Sequence, residues 1–482
     1  MSEISNLSPQ NVWKFFDLIC SIPHPSGHEA ALAEKLKQIA TEAGLLCRMD
    51  KVGNLRIDRP ASPGKEYLPR IIFQAHLDMV PVAEDENFDF TTTPVTPYID
   101  GDVVRARGTT LGGDDGAGVA LAMALLTDET LQCGPLSGLF TIGEEVGLTG
   151  AAALDDELLE GKYLINLDCG PLGCATIGCA GGARQEFKFI PEYENCTAGM
   201  PIQITLTGLQ GGHSGDCIDK NRGNAIKSLA AFLLEQPQIK LVSFNSGSAD
   251  NAIPHEAQAQ VWFGGDLKQL QNHAALFELL LKNELKRDGI KLEISEVSNL
   301  SLQTLTSEKQ QKLLTALSLA PNGVFEFDDE LQIVRTSSNL AAVFTGKELI
   351  RIRTSQRSLV DSGREQASAM LAEHFALAGC TAEVSNPYPG WNPVPECRLV
   401  RTCCKVWETL HNKPLQLSAI HAGLECGILG KKNPELELIS VAPGTPGCHT
   451  PKEYLQIENV ALCYDFLKAV CLNLHKCAYF TR

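Results

Sequence analysis

Apolar positions recur at helical spacing over residues 29–44, set among Ala, Leu, Glu and Lys, and predict an amphipathic helix. The pattern then changes. Residues 70–75 form a short apolar run that ends at His76, and 139–142 and 163–167 are two more such runs. Short apolar runs bounded by turn signals read as strands buried on both faces. Between them, 116–126 is Ala-rich and apolar throughout, as a buried helix would be. Strands alternating with helices predict an α/β domain whose mostly parallel sheet is covered by helices.

Around 182–190 the style shifts. Residues 201–207 alternate apolar and polar, the signature of a half-exposed antiparallel strand. A weak internal repeat follows. Strand 257–263, helix 267–285 and strand 290–296 form one unit; strand 348–353, helix 362–378 and strand 380–384 form another. Each follows a serine-rich stretch carrying an asparagine, Asn251 or Asn339. Two similar α+β subdomains side by side would explain the length of this region. The run Pro-Tyr-Pro-Gly-Trp-Asn-Pro-Val-Pro at 387–395 is a break. After it, helix 401–411, strands 415–420 and 436–441 and helix 457–475 return to the first style. The expected organisation is a discontinuous α/β catalytic domain, 1–184 with 393–482, interrupted by an α+β lid domain, 185–392.

A chain of 482 residues accommodates two such cores. Its net charge of −17 carries no block of like sign, which argues against nucleic acid or an anionic membrane as partner. No apolar run approaches the roughly 20 residues of a membrane helix. The polar, acidic start lacks the features of a secretory signal, and the 17 scattered cysteines read as reduced thiols, so the expected location is cytoplasmic. Cys169, Cys174 and Cys179 are evenly spaced, but not in the pairs that structural zinc prefers.

The chemistry is carried by acids and histidines just past the strand-like runs. Glu144 and Glu145 close the run at 139–142 side by side, a costly arrangement unless something pairs the charges. His76, Asp114, Glu145, Asp168 and His449 each follow a strand-like run or open a helix, where ligands of parallel sheets collect. Two imidazoles and three carboxylates suit Zn2+, Co2+ or Mn2+, and fit two divalent cations better than one, with a carboxylate shared between them. Asp78, two residues past His76, is placed to accept its imidazole N–H. Asp114 is chosen over Asp115 as the shared ligand, because Asp115 then sits favourably at the start of a helix. Taken singly, each residue has an ordinary reading as a surface group or helix cap; the ordered set is what points to a metal centre.

Several strings extend that set: Ile-Pro-His-Pro-Ser-Gly at 22–27, Gln-Ala-His-Leu-Asp-Met-Val at 74–80 and Gly-Thr-Thr-Leu-Gly-Gly-Asp-Asp-Gly at 108–116. Further on come Glu-Glu-Val-Gly-Leu-Thr-Gly at 144–150, Gly-Gly-His-Ser-Gly at 211–215, Asn-Ala-Ile-Pro at 251–254 and Arg357-Ser358. The last are Ile-His-Ala-Gly-Leu-Glu-Cys-Gly at 420–427 and His-Thr-Pro at 449–451. Together they resemble the co-catalytic zinc peptidase family that includes carboxypeptidase G, carnosinases and acetylornithine deacetylases. The similarity is greatest to its aminoacyl-histidine dipeptidase (Xaa-His dipeptidase, peptidase D) branch.

The resemblance implies a dizinc dipeptidase acting on small peptides. His76, Asp114 and Asp168 would hold one zinc; Asp114, Glu145 and His449 would hold the other. Glu144 would be the general base and Asp78 would orient His76. His213 would stabilise the oxyanion, and Asn251 and Arg357 would bind the substrate carboxylate. His421 and Glu425 are expected near the cleft without an assigned role. An N-acyl amino acid deacylase on the same metals is the alternative activity. The repeat in the lid is compatible with a homodimer or a monomer.

Overall fold

The structure is a computed structural model and describes residues 2–196 and 198–476. Its described residues divide into two compact units: 2–179 with 391–419 and 424–476, and 180–390 with 420–423.

The first unit is built on an eight-stranded sheet. Its order is Leu46–Met49, Leu55–Arg59, Leu136–Thr141, Ile71–His76, Tyr163–Asn166, Glu437–Ser440, Cys174–Cys179, Gln416–Ile420. The centre is parallel: Ile71–His76 lies between Leu136–Thr141 and Tyr163–Asn166, and the latter also pairs with Glu437–Ser440. All residues of Ile71–His76, Leu136–Thr141 and Tyr163–Asn166 are buried, which is why they read as short, mostly apolar runs without alternation.

Antiparallel pairs flank this centre. Leu46–Met49 and Leu55–Arg59 form a hairpin, and its turn is held by Asp50, whose Oδ1 accepts from the N–H groups of Val52, Gly53 and Asn54. A hairpin needs no crossover helix, so the sheet is mixed at its edges. The Ala-rich helix Gly113–Leu126 is buried along its length. Gly118 permits its close packing: a Cβ there would stand 2.8 Å from the Cβ of Leu167.

The second unit contains one nine-stranded antiparallel sheet. The path runs Lys291–Glu296, Met200–Thr207, Ala257–Phe263, Ile239–Ser246, Ile333–Thr345, Ile350–Ser358, Gly181–Phe189, Thr381–Tyr388, with Gly323–Asp328 beside Ile333–Thr345. The two repeat units lie in its two halves, as Ala257–Phe263, Leu267–Leu285, Lys291–Glu296 and as Ile350–Ser358, Asp361–Leu377, Thr381–Tyr388. The subdomains therefore share a single sheet, joined through Ser246 and Val343. Phe187, Phe232, Phe244 and Phe375 lie in its hydrophobic core.

Candidate active site and metal centre

The parallel strands of the first unit end together, and the expected ligands follow them. His76 is the last residue of its strand, and Asp168 lies two residues beyond Asn166. Glu144 and Glu145 lie in the turn after Leu136–Thr141. Asp114 and Asp115 precede the regular turns of Gly113–Leu126, with non-helical backbone angles. His449 lies in the loop between Glu437–Ser440 and Tyr454–Gln456 with φ at 62°. That left-handed conformation costs a residue with a Cβ about 1–2 kcal/mol.

Side chains far apart in sequence meet here. His76 Nε2 lies 3.1 Å from Asp114 Oδ1. His449 Nε2 lies 2.8 Å from Glu145 Oε1 and 3.4 Å from Asp114 Oδ2. Donor atoms of His76, Asp114 and Asp168 fall within 4.8 Å of one another, as do those of His76, Glu144 and Glu145. Asp114 thus faces both imidazoles, one through each oxygen.

His76 Nδ1 lies 2.9 Å from the backbone carbonyl oxygen of Asp78 and 3.4 Å from its Oδ1. A carbonyl oxygen only accepts, so Nδ1 carries a proton and donates it there. The Asp78 carboxylate has further work: it accepts from the N–H groups of Glu144 and Glu145 and from Ser26 Oγ. It fixes the backbone of the diglutamate turn as well as facing His76.

The electrostatics describe a site short of positive charge. Burial, reinforced by the charge of Asp114, pushes the Asp168 carboxyl up to about 8. Burial also drives Glu144 and Asp115 well above the carboxylate range. Hydrogen bonds to Asp114 and Glu145 raise His449 to about 10. Burial opposes protonation of His76, but Asp114 and Asp78 outweigh it and raise that imidazole too. Burial likewise works against ionisation of Asp114, yet its bonds to His449 and His76 hold its carboxyl down.

These contacts set imidazole nitrogens against carboxylates, which only accept when ionised, so each close pair requires a proton or a cation between its atoms. Two donor atoms on one tetrahedral Zn2+ stand about 3.3 Å apart for bonds near 2.0 Å. The separations found here are of that size. The donor set therefore fits divalent cations.

Several supporting residues were not singled out from the sequence. Glu453 is 2% exposed, and its carboxylate accepts from the N–H groups of Leu111, Gly112 and Asp114 at 2.8, 3.1 and 3.1 Å. Burial raises this carboxyl, and the three N–H groups pull it back towards the ionised form. Glu29 Oε1 accepts from the N–H groups of Gly27 and Gly143. Below the candidate ligands lies a buried polar layer. Gln74 joins Asn166 and Glu425, Thr141 donates to Glu425, and Ser440 donates to Asn166. The positions of Gln74 and Asn166, two residues before His76 and Asp168, are the signal that could have found it.

Glu453→Gln tests the grip on the Asp114 loop. An amide NH2 would confront N–H donors, so the first unit should lose about 1–3 kcal/mol of stability. Metal affinity should fall about 10- to 100-fold, as for other residues that orient a ligand. Thermal denaturation and calorimetric metal titration read the two effects; unchanged values in both would refute the role.

The remaining predicted residues belong to the second unit. His213 and Asn251 are neighbours: the short strands Gly212–His213 and Ala252–Ile253 pair, and the N–H of Ser214 donates to the Asn251 carbonyl oxygen at 2.7 Å. Arg357 is 9% exposed; its Nη1 donates to Tyr388 Oη at 3.2 Å, and its buried Nε has no partner. It makes no ion pair among the described residues. Burial and the charge of Arg357 depress both His213 and His421, the latter to about 3. His421 Nε2 lies 2.7 Å from Ser337 Oγ.

Cys169, Cys174 and Cys179 have separate partners in Thr176, Gln416 and the Leu424 carbonyl oxygen, and all described cysteines are free. No helix among the described residues is long and apolar enough to cross a membrane.

A mixed α/β sheet with acids and imidazoles gathered at its strand ends is the frame of a hydrolytic metal centre. The family model described as Peptidase family M20/M25/M40 matches residues 72–473, and the chain belongs to that family. It is 40% identical over 479 residues to the cytosol non-specific dipeptidase of Escherichia coli (strain K12), covering 97% of this chain and 98% of that protein. Among solved structures, the aminoacylhistidine dipeptidase from Vibrio alginolyticus superposes with a TM-score of 0.89 at 40% identity, covering 98% of each chain. A tripeptidase from Staphylococcus aureus, at 15% identity and TM-score 0.62 over 97% of this chain and 99% of that one, shares the fold.

Proposed function

We propose that this chain is a cytosolic, metal-dependent dipeptidase that hydrolyses small dipeptides, Xaa-His and carnosine-like ones among them, with Zn2+ as its preferred cation and Co2+ or Mn2+ able to substitute. The observation that carries the reading is the convergence of His76, Asp114, Glu145, Asp168 and His449, whose imidazole–carboxylate contacts have the spacing of ligands shared by divalent cations. The names of the two relatives matched over their full lengths support dipeptide substrates and a cytosolic location, and disfavour the deacylase alternative.

His76, Asp114 and Asp168 would hold one cation, and Asp114, Glu145 and His449 the other. Such a pair, when bound, supplies an acidified water and a polarised carbonyl. Glu144 takes the proton of the attacking water and delivers it to the leaving amine. Its carboxylate makes no hydrogen bond among the described residues, whereas Glu145 is engaged by His449. Asp78 keeps the proton of His76 on Nδ1, so that Nε2 presents its lone pair. In the second unit, His213 is assigned to the oxyanion and Asn251 and Arg357 to the free carboxylate of the peptide. The guanidinium of Arg357, largely buried and without an ion pair among the described residues, suits that group.

Purified protein should carry two divalent cations by metal analysis and cleave carnosine-type and other dipeptides well ahead of N-acetyl amino acids. Arg357→Ala should chiefly raise KM for these substrates, by about tenfold or more for the loss of a charged hydrogen bond. Preference for N-acyl amino acids, or a metal-free active enzyme, would overturn the reading.

A further inference from the structure

We propose that the Cys448 thiol is an additional ligand at the second cation position, where it joins Asp114 and His449 and biases that position towards thiophilic cations. The inference rests on the dimetal reading above and adds a residue to it.

Three observations carry it. First, the donor atoms of Asp114, Cys448 and His449 lie within 4.8 Å of one another. Bonds of about 2.3 Å to sulfur and 2.1 Å to nitrogen place two donors on one tetrahedral zinc about 3.6 Å apart. Rotation about the Cys448 side-chain bond would bring Sγ into that range.

Second, the backbone is turned to make this possible. Adjacent side chains of an extended segment point to opposite sides. Here Gly447 has φ at 76° and His449 has φ at 62°, and the donor atoms of both consecutive side chains lie within 4.8 Å of the Asp114 carboxylate.

Third, Cys448 is the one exposed cysteine among the described residues; the others are buried or intermediate. A thiol serving as a small core hydrophobe would lie inside. This one lies beside Asp114 and His449, which is itself exposed.

Coordination exchanges the S–H bond for a sulfur–metal bond and releases the proton to solvent. A thiolate is the softest donor in the set, so Zn2+ gains over Mn2+ or Mg2+, and Cd2+ should bind at this position with particular strength. The same bond would shield Cys448 from alkylation and oxidation while the position is filled.

The test uses the full-length protein loaded with Co2+. Wild type should bind two ions and show a thiolate-to-Co2+ charge-transfer absorption in the near ultraviolet. Cys448→Ala and Cys448→Ser should lose that absorption, and the Zn2+ over Mn2+ affinity ratio should fall about tenfold or more. In wild type, Co2+ loading should slow iodoacetamide labelling of the Cys448 peptide at least about tenfold, read by mass spectrometry.

Two Co2+ bound with no such absorption, or an absorption that persists in Cys448→Ala, overturns the ligand assignment and leaves the dimetal reading in place. Failure to bind Co2+ at all overturns both.

Discussion

Glu144→Gln should lower kcat on a dipeptide by about 10²- to 10⁴-fold, the usual share of a general acid–base group, while the protein still binds two divalent cations. Gln keeps the size of Glu and its carbonyl oxygen, so packing is preserved. What it lacks is a site for the proton of the attacking water. The neighbouring Glu145 cannot stand in, because His449 Nε2 sits 2.8 Å from its Oε1. Burial raises the Glu144 carboxyl, and the charges of Asp168, Glu425 and Glu145 add to that. Such a group holds a proton well enough to pass it on to the leaving amine.

The contrast with Glu145→Gln makes the experiment decisive. That substitution weakens the contact with His449 and should cost one of the two cations, with activity lost through occupancy. Rapid-quench kinetics with metal analysis separates the cases. If Glu144→Gln keeps its kcat with both ions bound, another group is the base.

The candidate ligand positions were legible because they follow strand-like runs or, for Asp114, open the buried Ala-rich helix. Ile71–His76 and Tyr163–Asn166 are buried on both faces, so they are mostly apolar, with Gln74 and Asn166 as the polar exceptions ahead of His76 and Asp168. What supports the ligands was less visible. Glu453 lies close to His449 in sequence, but only the folded loop brings its carboxylate to the N–H groups of 111–114. Alternation along an extended segment predicts the Asp78 and His76 side chains on one side. It does not foretell that the chain turns after the strand and brings the Asp78 carbonyl oxygen to Nδ1 ahead of the carboxylate.

In the second unit, the serine-rich stretch with Asn339 lies inside the long strand Ile333–Thr345. Ser337, Ser338 and Asn339 are buried there, and polar residues in a sheet interior leave no apolar pattern to read. The junction of the two subdomains is a pairing between Ser246 and Val343, far apart in sequence and beyond the reach of local periodicity. His421 and Glu425, four residues apart, fall in different units, with Glu425 fully buried beneath the ligands.

Stripping the metal with a chelator should make thermal stability fall as pH rises from 6.5 to 8, while the loaded protein holds its stability over the same range. The window follows from groups whose folded pKa exceeds the unfolded one. Asp168 goes from 3.8 to about 8, through burial and then the charge of Asp114. His449 goes from 6.5 to about 10, through hydrogen bonds to Asp114 and Glu145. Both make the folded state bind more protons than the unfolded chain, so both contributions are complete at low pH and are lost as pH climbs. For Asp168 the loss runs from about 4 to 8, and for His449 from about 6.5 to 10, so the two overlap between 6.5 and 8. Asp114 runs the other way: its depressed carboxyl contributes above its unfolded value of 3.8, outside this window. Bound cations replace the protons that these groups would otherwise hold, and metal binding strengthens as protons leave the ligands. The gap in Tm between loaded and chelated protein should therefore widen with pH. A gap that narrows from pH 6.5 to 8, or chelation without effect on Tm, would mean that this cluster of acids and imidazoles is not what the cations neutralise.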